Sequence, residues 1–186
     1  MQTQEPPVSF DVELAHLRDA WGWLITVGVA LIALGAAAII FGVGTTGSSA
    51  LLGVILIAAC LLETYITAQT FTRRRGVTLV LVRALEFGAG ISLLLEPETY
   101  TGVPLLVPLF LIAHGAFRLW FAATIRLSHR IFFTVAGAVT FASGVALAIE
   151  RNPTGAAFVG PAIGVNYVTL GVFWVLIAAK LRRRQR

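Results

Sequence analysis

Residues 77–124 read VTLVLVRALEFGAGISLLLEPETYTGVPLLVPLFLIAHGAFRLWFAAT, which sets Arg83, Glu86, His114 and Arg118 inside two segments otherwise long and apolar enough to cross a bilayer. A charge near the centre of a membrane helix costs about 2.5–3.5 kcal/mol on insertion scales, so such residues face a bundle interior and find partners there. The rest of the chain is read by asking what surrounds these four.

Working outward, four more runs reach the length of a membrane crossing. The six lie near 21–42, 48–71, 77–95, 103–124, 131–149 and 158–179. With 58% hydrophobic and 12% charged residues, the chain has long apolar runs where a soluble domain has amphipathic stripes. The runs are too long for barrel strands and do not alternate, so the expected fold is an all-α membrane protein of six helices.

The net charge of +5 does not point to nucleic acid, because of where the basic residues fall. Arg18, Arg73, Arg74, Arg75, Arg126, Arg130, Lys180, Arg182, Arg183, Arg184 and Arg186 share one side if the crossings alternate, and Arg151 lies in a connection on the other. Both termini are therefore expected in the cytoplasm, with the basic face against anionic lipids. Nucleic acid is excluded as a partner, while self-association stays open. The single Cys60 rules out an intrachain disulfide and a cysteine-based metal cluster.

Residues 1–20 form a cytoplasmic segment. From Ser9, which can cap a helix, Phe10, Leu14, Leu17 and Trp21 recur at helical spacing and predict a short interfacial helix leading into the first crossing. Residues 181–186 form a basic cytoplasmic tail.

The transmembrane region, 21–180, contains an internal repeat. Gly28 and Gly35, Arg83 and Gly90, and Gly137 and Gly144 are each seven residues apart in the odd helices. Gly53 and Cys60, Pro108 and Gly115, and Gly164 and Gly171 keep the same spacing in the even ones. Seven residues is close to two turns, so each small pair lies on one face and admits a neighbouring backbone. This register predicts three tandem hairpins, 21–75, 76–129 and 130–180, related by an axis along the membrane normal. It also explains Cys60 as a packing residue. The outer connections, 42–47, 96–102 and 150–155, carry glycine or proline, with Pro97 and Pro153 expected to end the third and fifth helices.

Trp21 and Trp23, the seven-residue glycine spacing, Glu96-Pro97, Asn152-Pro153, and Gly115 and Gly171 together resemble the HdeD-type acid-resistance membrane proteins over residues 21–180. The resemblance implies a small six-helix protein of the bacterial inner membrane that acts in resistance to acid or envelope stress. It supplies no catalytic residues.

The candidate site is a buried polar layer of Glu63, Arg83, Glu86, His114, Arg118 and Asn166. Counted at 1.5 Å per residue, Glu63, Arg83 and Arg118 fall about 10–14 Å below the cytoplasmic boundary, so they can meet laterally. Arg83 and Glu86 can also pair at i, i+3, and Thr140 matches Glu86 in the repeat. Such a layer either fixes the packing order of the hairpins or responds to protons through its carboxylates and His114. A small transporter or channel for protons or a solute is the alternative function, and an assembly factor for other membrane proteins is a weaker one. No enzyme motif, cofactor loop or metal-ligand spacing is present in the sequence, so enzymatic chemistry, cofactors and metals are not expected.

The charge bias generates a topology test. Reporter fusions after Arg75, Arg130 and Arg186 should read as cytoplasmic and those near Thr46, Tyr100 and Thr154 as external. An external signal at Arg75 would overturn the six-crossing reading.

Overall fold

In lipid every backbone N–H and C=O must be satisfied within its own segment, and the apolar runs accordingly become helices. The computed structural model describes residues 21–42, 48–70, 76–95, 103–124, 130–150 and 153–183. The helices are α1 (Trp21–Phe41), α2 (Ser48–Thr70), α3 (Gly76–Leu95), α4 (Leu106–Thr124), α5 (Arg130–Ile149) and α6 (Pro153–Arg183). Over the described residues, α1, α2, α4, α5 and α6 are long and apolar enough to cross a membrane. The remaining helix, α3, carries Arg83 and Glu86 and packs between α2 and α4. The protein is thus an all-helical, multi-pass membrane protein. The interfacial helix expected before Trp21 lies outside the described residues.

Each helix packs beside its chain neighbours, and α6 returns to α1, so the six close a ring. The seams are unequal. The most extensive are α1 with α6, α4 with α5 and α2 with α3, whereas α1–α2, α3–α4 and α5–α6 are thinner. The closest packing therefore runs between successive hairpins of the predicted register and not within them.

The reason is the small residues. A Cβ on Gly35 would lie 2.7 Å from the Gly164 carbonyl oxygen and 2.8 Å from the Val168 nitrogen. Those are backbone atoms of α6 that cannot rotate away. The same device holds the other two broad seams, Gly53 against Gly90 for α2–α3 and Gly115 against Gly137 for α4–α5. Cys60, buried in α2, makes a comparable contact, with Sγ 3.4 Å from the Arg83 carbonyl oxygen.

Inside the ring, Leu24, Leu31, Leu56, Leu93, Phe110, Leu111, Ile163 and Tyr167 are fully or almost fully buried. The outward faces are also apolar, with Ile131, Ile149, Leu95 and Ile40 widely exposed, as suits a lipid solvent. Trp23 on α1 and Tyr65 on α2 meet edge to face at 5.4 Å.

One boundary differs from the sequence expectation. Pro153, assigned to a connection, is the first residue of α6, where its fixed φ suits a helix start and its missing N–H is no loss. The helix runs on for 31 residues to a basic last turn of Lys180, Arg182 and Arg183, which complements the negative end of its dipole. Pro161 lies inside it and removes one ladder hydrogen bond.

The seams generate a packing test. Gly35→Ala should lower the thermal stability of the detergent-solubilised protein by about 1–3 kcal/mol, because the added methyl meets rigid backbone. Gly88→Ala is the control, since its Cβ would meet only Leu106 Cδ1, at 3.7 Å. That variant should be neutral or stabilised by up to about 1 kcal/mol through helix propensity. Equal losses at both positions would refute the close-contact account.

Candidate functional site: a buried charged layer

Four helices bring the predicted polar residues inward. Glu63 comes from α2, Arg83 and Glu86 from α3, His114 and Arg118 from α4, and Asn166 from α6. Glu63, Glu86, His114, Arg118 and Asn166 are all buried, and Arg83 is 15% exposed. Helical spacing aims them together, with Arg83 and Glu86 three residues apart and His114 and Arg118 four apart, each pair on one face.

Two groups form. In the first, Arg83 serves two carboxylates: Nη1 makes an ion pair with Glu63 Oε2 across the α2–α3 seam and donates to Glu86 Oε2 at 2.6 Å within α3. The other Glu86 oxygen, Oε1, accepts a 2.5 Å hydrogen bond from the Tyr167 hydroxyl of α6. Glu86 is thus held from both sides, and α2, α3 and α6 are joined through one guanidinium and one carboxylate.

In the second group, Arg118 donates through Nη1 to Thr169 Oγ1 at 3.2 Å and through Nη2 to the Asn166 carbonyl oxygen at 3.3 Å. Thr169 itself donates to that carbonyl at 2.8 Å. Thr140 of α5 gives its one proton to the Ala136 carbonyl at 2.9 Å and lies 3.3 Å from the Asn166 side chain. Since that proton is already committed, the Asn166 amide is better satisfied with Nδ2 toward Thr140, where it can donate. Asn166 and Tyr167 are consecutive, so the two groups meet on α6.

Depth in the membrane lets Glu63 meet either Arg83 or Arg118, and the structure selects one of them. Glu63 and Arg118 interact electrostatically but form no salt bridge among the described residues. Glu63 pairs with Arg83 instead, because α2 packs closely on α3. His114 lies edge-on to Phe110 at 5.5 Å, as a core aromatic would. Tyr167 and Thr169 join the layer without a signal in the sequence that sets them apart. A tyrosine in an apolar run reads as core, and only its lone polar tip hinted at a buried acceptor.

Several buried atoms have no hydrogen-bond partner among the described residues: Glu63 Oε1, Arg83 Nε, His114 Nδ1 and Arg118 Nε. Most buried polar groups are paired, so these mark positions that can bond to water or a small polar species. No three His, Cys, Asp or Glu side chains among the described residues gather as a metal site. Chemically, the layer is a set of charged and hydrogen-bonding groups held inside an apolar bundle.

Fold and site together define a helical multi-pass membrane protein organised around an internal charged layer. Comparison with family models, curated proteins and solved structures finds no match for the chain.

The pairing pattern predicts the ranking of substitutions. Arg83→Gln should be the most damaging single change in the layer, by about 3–5 kcal/mol, because it strands two buried carboxylates. Adding Glu63→Gln should restore part of that loss, whereas Glu63→Gln with Arg118→Gln should show weaker coupling. Thermal unfolding in detergent of the three single variants, Glu63→Gln, Arg83→Gln and Arg118→Gln, and of the two doubles measures both cycles. Stronger coupling to Arg118 than to Arg83 would contradict the arrangement.

Proposed function

We propose that this is an inner-membrane protein of acid or envelope stress resistance, with both termini cytoplasmic, in which the charged layer responds to protons. The observation that carries the reading is Glu86, fully buried and bonded through both oxygens, to Tyr167 by one and to Arg83 by the other. Carboxylates and imidazoles are the side chains that take up protons on acidification. A proton on Glu86 cancels the charge opposite Arg83 and turns one acceptor oxygen into a donor. The Tyr167 hydroxyl can rotate to accept from that donor, so the change falls on Arg83, which loses its charge pairing with Glu86 and is left to Glu63, and protonation becomes a change in how α3 is tied to α2. The role is not enzymatic.

The architecture proposed with this function is three tandem hairpins about an axis along the membrane normal, with α3 crossing like the others. Its support is burial in register. Leu31, Glu86 and Thr140 occupy matching buried positions in α1, α3 and α5, and Ala59, His114 and Leu170 do so in α2, α4 and α6. The resemblance to HdeD-type proteins points the same way.

A second reading, a small transporter or channel for protons or a small solute, draws on the partnerless atoms of Glu63, His114 and Arg118. Proton flux into proteoliposomes carrying the protein would favour it.

Acid survival of cells expressing Glu63→Gln, Glu86→Gln or His114→Asn at matched protein levels tests the main reading. Loss of protection by a variant that still folds is the expected result. Full protection by all three would leave the layer with an architectural role only.

A further inference from the structure

The ring closes where the first helix meets the last, and the end of that seam at the start of α1 and the last turns of α6 holds a cavity of about 300 Å³ lined by Ile25, Ala179, Arg182 and Arg183. Ile25 lies on the face of Trp21, four residues on, while Ala179, Arg182 and Arg183 share one face of the last turns of α6. Ile25 and Ala179 are half-buried and form an apolar floor, and the two arginines are exposed. Arg182 does not swing freely, because its guanidinium sits over the Trp21 ring at 4.9 Å.

We infer that this cavity is a binding site for the headgroup phosphate of one anionic phospholipid, seated between α1 and α6. Three features fit that occupant. Two guanidiniums supply the forked donors that phosphate oxygens accept, and Arg182 is already oriented by Trp21. The apolar floor suits the glycerol and upper acyl region of an amphiphile. The cavity also lies where spanning helices leave the hydrocarbon, at the depth of tryptophans and headgroups, and basic pockets between helices at that level recognise anionic lipids. A lipid held there touches both ends of the transmembrane chain and stabilises closure of the ring.

The test uses the full chain in mild detergent, titrated with phosphatidylglycerol or with phosphatidylcholine of the same acyl chains, and reads retained lipid by native mass spectrometry and stability by thermal shift. Binding of one phosphatidylglycerol about tenfold more tightly than phosphatidylcholine is expected, with a rise in Tm. Equal retention of the two lipids would overturn the site, and so would an equal Tm rise with inorganic phosphate alone, which would indicate an anion site without lipid. Arg182→Gln with Arg183→Gln should abolish the preference, while Arg73→Gln with Arg74→Gln, which removes the same charge elsewhere, should keep it. Loss in both pairs would show a diffuse basic face in place of a pocket. Should the first pair fail to fold, Ile25→Trp keeps both charges and fills the floor. It should lose the bound lipid, and retention would refute the assignment.

Discussion

Helices in a bilayer gain little from hiding apolar surface from one another, because the lipid is equally apolar, so they must associate through close packing. Here that means backbone against backbone. Gly35 against Gly164, Gly53 against Gly90, and Gly115 against Gly137 set the three broad seams, and the small residues leave no room for a methyl group. Everything else in the bundle is placed by these contacts, including the rotation of α3 that turns Arg83 toward α2.

That dependence explains why the charged layer is asymmetric. Arg83 reaches Glu63 because their helices share a broad seam, whereas Arg118, across a thinner boundary from α3, finds neutral partners on α6. The layer contains two carboxylates and two guanidiniums, yet one guanidinium engages both carboxylates. Its charges balance as a set and not pair by pair, and a change at one residue is felt on several helices.

Much of this was legible in the residues. The apolar runs gave the helices, the seven-residue spacing gave the faces that approach closely, and buried Glu63, Glu86, His114, Arg118 and Asn166 were all expected in the interior. What the residues did not disclose was which glycine face meets which. Spacing fixes a stripe on a helix but not the neighbour that receives it, so on spacing alone Arg118 suits Glu63 as well as Arg83 does, and the packing of α2 on α3 decides between them. Tyr167 is hidden in the sequence because its ring satisfies the same burial as the leucines at matching positions, Leu56 and Leu111. Pro153 is ambiguous in the sequence because proline can follow the end of one helix and start the next.

The broadest seam joins the two helices most distant in the chain, α1 and α6. Synthesis proceeds at about 5–20 residues per second, so roughly a hundred residues separate the emergence of α1 from that of its chief partner by several seconds. Through that interval Gly28 and Gly35 face the membrane without the surface they were shaped to fit. Assembly therefore ends with a long-range closure and does not grow outward from a finished first hairpin. A chain halted before α6 carries an open seam, which makes the nascent protein dependent on whatever shields unpaired helices at the site of insertion.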